Sequence, residues 1–522
     1  MEIRNPVLRG FNPDPSICRV GDDYYIATST FEWYGGVQIH HSRDLVHWRL
    51  LTHPLDRYEL LDMRGDSCSG GVWAPCLSYA DNRFWLVYTD VKSRSHDHLN
   101  YLTTAPAIEG PWSAPVFLNS SGFDPSLFHD SDGRKWLVNM MTDFRKNRNW
   151  FGGILLQEYS VAQQRLVGPI QNIFSGSPLG STEGPHLYKR DGRYYLMTAE
   201  GGTSYDHAVL MARSDTIAGP YESDPAGHML TSAKDPSLEL QKAGHASLVE
   251  TQGHEWYVAH LCGRPVGPDR RCILGRETAL QKCVWSDDGW LRLAHGSNTP
   301  RTVVPAPNLP AHPFPPEPLR DDFDSPALSV HLSTLRSLPD ESWLSLRSRP
   351  GFLRLTGRQS WQSQFLQSLV ARRVQSIHCE ASTRVEFHPT HYQQMAGLTA
   401  WYNNAKHYSL LLTHDEKIGT CLYLSAYDSG HYIEPLEGRA VAVPAGKPIY
   451  MKVILDAEWM QFSYSLDGRQ WHMIGPTLDA TKLSDDYPPF CFTGMFVGMC
   501  CYDLGGTRQP ADFDYLEYRE RG

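Results

Sequence analysis

Phe11-Asn12-Pro13-Asp14-Pro15-Ser16-Ile17 decides how this chain is read, because its pattern returns four more times. The later copies are Trp73-Ala74-Pro75-Cys76-Leu77, Phe123-Asp124-Pro125-Ser126-Leu127, Glu183-Gly184-Pro185-His186-Leu187 and Gly244-His245-Ala246-Ser247-Leu248. Each sets a Pro or Ala anchor, one further residue and an aliphatic. A polar turn follows, then an aromatic: Tyr25, Trp85, Trp136, Tyr195 or Trp256. That aromatic falls ten positions after the anchor in four copies and eleven in the third. A period of roughly 50–60 residues is the mark of blades or arrays, in which one supersecondary unit repeats.

A short strand starting at the motif, reversed by the turn into an aromatic-rich second strand, makes a hairpin. Five copies ending near residue 300 predict an all-β, five-bladed β-propeller. Equivalent positions would then converge on one axis. Just before the anchor stand Asp14, Ala74, Asp124, Gly184 and His245; one step earlier stand Pro13, Trp73, Phe123, Glu183 and Gly244. Three carboxylates, a histidine and two aromatics would meet at one mouth of the channel. Gly110-Pro111, Gly168-Pro169 and Gly219-Pro220 read as turns into outer strands, where Pro does least harm to a ladder.

At 522 residues the chain needs two or three domains. We divide it into a catalytic propeller over 1–300, a Pro-rich linker over 301–320 and a β-sandwich of jelly-roll-like kind over 321–522. Pro305 to Pro318 favours extended backbone, which marks the linker. Alternating strands such as Tyr450-Met451-Lys452-Val453-Ile454 mark the sandwich. A net charge of −10 without a basic stripe argues against a nucleic-acid partner. The start lacks the apolar core of a signal peptide, and no apolar run has the length of a membrane span, so no membrane partner is expected. Eleven scattered cysteines without zinc-ligand spacing read as free thiols in a reducing, cytoplasmic setting.

A glycosidic bond is cleaved with one acid on the leaving oxygen and one base on a water. The acid needs a raised pKa, which burial and a neighbouring carboxylate supply. Asp14 and Glu183 facing each other across the channel could divide these tasks with inversion. Asp124 would stay ionised, raising and orienting Glu183. Trp73 and Phe31 could wall a sugar ring.

With these residues the chain resembles the β-xylosidases of glycoside hydrolase family 43 that carry a C-terminal β-sandwich. The resemblance runs over essentially the whole chain. Its motifs are Asn12-Pro13-Asp14-Pro15-Ser16, Gly122-Phe123-Asp124-Pro125-Ser126-Leu127, Thr182-Glu183-Gly184-Pro185-His186 and Gly275-Arg276-Glu277-Thr278. It implies a five-bladed propeller, an inverting mechanism, Asp14 as general base, Asp124 as pKa modulator and Glu183 as general acid. It implies Arg276 on the substrate hydroxyls, and Phe31, Trp73 and Thr203 around the glycone. His245 matches a channel histidine that holds a water or a divalent cation such as Ca²⁺ in some relatives; no cofactor is otherwise required. An aromatic common in relatives near Thr142 is missing here. The resemblance also implies that the sandwich sends an aromatic into the site. In Phe490-Cys491-Phe492-Thr493-Gly494-Met495-Phe496 our choice is Phe492, with Phe490 and Phe496 as the alternatives.

These features point to an exo-acting enzyme that releases xylose from β-1,4-xylo-oligosaccharides, with α-L-arabinofuranosidase side activity. A homo-oligomer is expected. The competing readings are an arabinan-active exo-hydrolase on the same fold and a non-catalytic sugar-binding propeller.

Overall fold

The computed structural model describes residues 1–93 and 97–521. Among these residues the regular structure is β, apart from one 3₁₀ turn at Ala480–Lys482. Each sequence repeat builds one antiparallel sheet, and its innermost strand begins at or beside the motif. These strands are Ser16–Val20, Gly71–Ala80, Ser126–His129, Glu183–Arg190 and Gln241–Glu250. Each pairs with the strand that follows it, and the five sheets run outward in chain order. In the first four repeats the second aromatic lies opposite the third residue after the anchor: Cys18–Tyr25, Ser78–Trp85, Phe128–Trp136 and Tyr188–Tyr195. The extra residue of the third copy is absorbed in the turn, where the Asp130 N–H reaches the Arg134 carbonyl at 2.9 Å.

The motif serines tie neighbouring blades together. Ser16 Oγ accepts from the Leu77 N–H at 3.0 Å, Ser126 Oγ donates to the Pro185 carbonyl, and Ser247 Oγ donates to the Pro15 carbonyl at 2.8 Å. The last of these closes the ring between blades five and one. The Pro-rich stretch is not wholly unpaired: Val303–Pro305 forms a two-stranded sheet with Glu2–Arg4. Of the three Gly-Pro steps, Gly110-Pro111 and Gly219-Pro220 precede the outer strands Val116–Asn119 and Glu222–Ser223, as expected. Gly168-Pro169 instead lies inside the outer strand Arg165–Phe174. The register there slips between Leu156 and Glu158. A bulge on an edge strand spares the ladder the donor that Pro lacks.

The second domain stacks an eight-stranded and a nine-stranded sheet over a core that includes Trp343, Leu398, Leu410, Phe462 and Phe513. The nine-stranded sheet does not stop at the domain border. Trp33–Tyr34 of the propeller adds to its edge, opposite Leu335 and Thr334. Phe11, Phe31 and Trp33 share one apolar cluster with Leu335, Leu369, Trp401 and Phe496 of the sandwich. Two glycines set the closeness of the approach. A Cβ on Gly494 would lie 2.5 Å from the Leu274 carbonyl oxygen, and one on Gly275 would lie 2.5 Å from the Thr493 carbonyl oxygen. Two domains that share a sheet and a core behave as one packed body.

Candidate active site

The five positions before the anchors all adopt left-handed backbone: Asp14 at φ 56°, Ala74 at 34°, Asp124 at 53°, Gly184 at 57° and His245 at 44°. For a non-glycine residue this conformation is uncommon, and it gathers at sites where the surroundings over-determine it. Here it turns the chain at the channel mouth. In blades two, four and five the same step is a register shift within the innermost strand, at Trp73/Cys76, Glu183/His186 and Gly244/Ala246. Gly184 has a second reason to lack a side chain, since a Cβ there would stand 3.0 Å from the His245 ring.

These turns deliver their side chains to a cavity of about 370 Å³. Asp14, Asp124, Glu183, Phe31, Trp73, Thr203, Arg276, His245 and Phe492 all line it. Asp14 is held on both oxygens. Ser29 Oγ donates to Oδ2 at 2.7 Å and Arg276 Nη1 donates to Oδ1 at 2.7 Å. Ser29 Oγ also accepts the Ala74 N–H at 2.7 Å, which locks blade one to blade two beneath the carboxylate. Arg276 reaches Thr203 Oγ1 at 3.3 Å from the same nitrogen and the Phe492 carbonyl at 3.2 Å from Nη2. The Gly184 N–H donates to Asp124 Oδ2 at 2.9 Å. His245 Nδ1 lies 3.8 Å from Asp14 and 3.9 Å from Asp124.

The electrostatics separate the acids. Burial first, and then the negative charge of Asp14, pushes Glu183 up to about 7, while Arg276 pulls it partly back. Asp124 is also driven above the usual carboxylate range, by burial and then by Glu183 and Asp14. Two buried acids that repel each other titrate as a pair, holding one proton between them over a wide pH span. Burial lowers His245, which favours the neutral imidazole.

The donors around His245 do not make an oxygen-rich cation site. Asp14 is engaged by Ser29 and Arg276, and Asp124 by the Gly184 amide. Among the described residues no three or more His, Cys, Asp or Glu side chains gather as metal ligands.

The aromatic wall is built from both domains. Trp73 packs on Phe31 at 5.8 Å and on Phe492 at 5.8 Å between ring centroids. Ser69 positions both Trp73 and Phe492. Its carbonyl accepts the Trp73 indole N–H at 2.9 Å and its Oγ accepts the Phe492 N–H at 3.0 Å. The Ser69 N–H in turn donates to the buried carboxylate of Glu32 at 2.9 Å. Of the alternatives to Phe492, Phe490 also lines the cavity, whereas Phe496 is fully buried and stacks on Trp33 at 4.0 Å.

Ser29, Ser69, Trp150 and Phe490 are site residues that carry no repeat signature. Trp150 stands against Phe123 at 5.5 Å and lines the cavity. Thr142, eight residues earlier, instead turns its hydroxyl to the Ser121 carbonyl at 3.4 Å. Glu200 accepts a 3.0 Å hydrogen bond from Thr182 and so braces the residue before Glu183.

The pattern of glycosyl hydrolases family 43 matches residues 3–291, and that of the β-xylosidase C-terminal concanavalin A-like domain matches residues 320–519. The chain is similar to the crystal structure of a xylan β-1,4-xylosidase from Bacillus halodurans C-125. The two are 56% identical with a TM-score of 0.98, over 99% of this chain and 100% of that one. It is 49% identical to a xylan 1,3-β-xylosidase of a Vibrio species, over 99% of both chains. It is 47% identical to xylosidase/arabinosidase 43B of Humicola insolens, over 99% of this chain and 98% of that one. The chain therefore belongs to glycosyl (glycoside) hydrolases family 43 and is a glycosidase of the family's β-xylosidase type.

Proposed function

We propose that this glycosidase is an inverting exo-enzyme that removes xylose from the non-reducing end of β-1,4-xylo-oligosaccharides. The observation that carries this reading is the location of Asp14 and Glu183 on one cavity, under opposite influences. Asp14 is clamped by Arg276 and Ser29, while Glu183 is raised toward neutrality. In the mechanism, the Asp14 carboxylate takes a proton from water as the water attacks the anomeric carbon. Glu183 gives its proton to the glycosidic oxygen from the other side. The Gly184 amide favours charge on Asp124, so the proton shared by the pair is placed on Glu183. Solvent returns the proton from Asp14 to the acid after the sugar leaves. Arg276 orients the base and the glycone hydroxyls.

Exo action is supported by the aromatic wall of Phe31, Trp73 and Phe492, which bounds the cavity with residues from both domains. The β-1,4 linkage follows the Bacillus halodurans relative, and the Vibrio relative makes β-1,3 the linkage to compare with it. Side activity on α-L-arabinofuranosides is favoured by the Humicola relative, since the two sugars present similar hydroxyl patterns. The eleven free thiols fit a reducing compartment, so we place the enzyme in the cytoplasm. Exposed Tyr392, Tyr432 and Ile433 on the sandwich support self-association into a homo-oligomer.

The test is nitrophenol release from β-xyloside and α-arabinofuranoside substrates side by side, together with xylobiose linked β-1,4 and β-1,3. β-Xyloside and β-1,4-xylobiose should be the preferred substrates. In Asp14→Ala, turnover should fall by about 10²–10⁴, the usual worth of general base catalysis. A folded Asp14→Ala protein with near-normal turnover would refute the assignment.

A further inference from the structure

A second cavity, of about 580 Å³, lies where residues 7–12, blade one, the Pro-rich stretch and the sandwich meet. Its lining carries Arg9, Arg372, Arg373 and Arg519 against Glu317 and Glu520. Four guanidiniums against two carboxylates leave a positive surplus, in a chain whose net charge is −10. Three of the four are paired with protein groups. Arg9 bonds Glu520 at 2.7 Å, Arg519 bonds Glu517 at 2.6 Å, and Arg372 bonds Gln375 at 2.8 Å and Glu317 at 3.4 Å.

Arg373 is the exception, with no carboxylate in salt-bridge range among the described residues. It is 6% exposed, and its Nε, like that of Arg372, is sealed from solvent with no hydrogen-bond acceptor; its cation–π neighbour is the ring of Phe496 at 5.9 Å. Glu317, the acid whose field it feels, is engaged by Arg372 and lies 3.7 Å from His331. Burial and the neighbouring Arg372 both disfavour its charge. An uncompensated buried cation is among the costliest arrangements a fold can hold. A guanidinium is also the side chain whose planar fork matches a carboxylate or phosphate. His40 offers no rival positive charge, since burial keeps it neutral.

We infer that this interdomain cavity binds a small oxyanion on Arg373, either an inorganic phosphate or sulfate or the carboxylate of an organic acid, and that this anion supplies the missing counter-charge of the domain seam. The occupant would stabilise the two-domain body by binding only its folded form. It would also sit close to the catalytic loop. His40, on the cavity wall, pairs with Asn12 Oδ1 at 3.0 Å, and Asn12 lies two residues before Asp14.

The test uses the full chain in chloride buffer at constant ionic strength. Inorganic phosphate and, separately, glucuronate are titrated by calorimetry, and the thermal unfolding midpoint is followed at each concentration. At least one should give saturable one-to-one binding and a midpoint that rises and then levels off. The tighter of the two identifies the source of the oxyanion. Arg373→Met should abolish the response, keep kcat/KM on xylobiose, and unfold in chloride no earlier than the parent, because an apolar near-isostere replaces an unpaired charge. Should that variant fold poorly, Arg519→Gln at the same cavity should weaken anion affinity several-fold. No saturable binding of either anion would overturn the proposal. A midpoint rise that is equal in Arg373→Met would also overturn it, since that is the general effect of excluded salts.

Discussion

Arg276 donates a 2.7 Å hydrogen bond from Nη1 to Oδ1 of Asp14, and both residues are at least 95% buried. A guanidinium expected to serve the substrate hydroxyls is thus first a clamp on a carboxylate of the enzyme. The same group lowers the Glu183 pKa through space. It therefore acts on both halves of the proposed acid–base pair, one by contact and the other by its charge.

Arg276→Ala should lower kcat/KM on xylobiose at least as much as the loss of a charged hydrogen bond in a dry site. That loss is about 1.5–3 kcal/mol, or roughly 10- to 150-fold. Removing the positive charge should also raise the Glu183 pKa, so the alkaline limb of the pH profile should move up. A change of less than twofold with an unmoved limb would place Arg276 outside the reaction.

Asp124→Asn should act in the opposite direction on the same limb. The charge of Glu183 raises Asp124, and repulsion between two carboxylates acts both ways, so a neutral residue at 124 should lower the acid's pKa. Activity should then be lost at a lower pH than in the parent. An unchanged alkaline limb would count against the modulator role.

The carboxyl of Glu183 also carries a stability consequence. Its folded pKa lies above the unfolded value, so its contribution is fully present below about 4.5 and is lost as pH rises through about 7. Gln mimics the protonated acid. Glu183→Gln should therefore unfold at a temperature close to the parent at pH 4.5 and several degrees higher at pH 8. A gap that does not widen between these two pH values would mean that the site imposes no such cost.

Much of this was legible because one steric requirement recurs. Asp14, Asp124 and His245 sit at the same step of a repeat whose backbone must turn left-handed, and the repeat exposes them together. Ser29 has no such mate. It sits in a polar Thr28-Ser29-Thr30 run, and only the folded approach of Asp14 and of Ala74 from the next blade gives it a role. Trp150 escaped notice because a loop, not a strand register, carries it from Thr142 back to Phe123. The two-residue strand Trp33–Tyr34 is too short to show a period, yet it joins the domains. The Pro-rich stretch looked unpaired because its first residues find their partner at the other end of the chain.

The loop that carries Phe492 is held in place by glycine. A Cβ at Gly494 would press on the Leu274 carbonyl at 2.5 Å and on Phe11 at 2.9 Å. Gly494→Ala should therefore push the aromatic wall off the cavity, reducing kcat/KM on xylobiose at least fivefold and lowering the unfolding midpoint. Phe492→Ala should lose activity while staying folded. Residues 1–319 alone should be insoluble or inactive, because the truncation uncovers Phe11, Phe31 and Trp33. A soluble, fully active propeller fragment would show that the sandwich adds nothing to the site.

The most direct test of the two-carboxylate account is the configuration of the first product. Proton NMR should be recorded within the first turnovers on a β-xyloside, before the released sugar mutarotates. A base that delivers water to the face opposite the leaving group must yield α-xylose first, with β-xylose growing in only at the rate of mutarotation. β-Xylose as the first product would mean that a carboxylate attacks the sugar itself, and would contradict the assignment of Asp14 as a base.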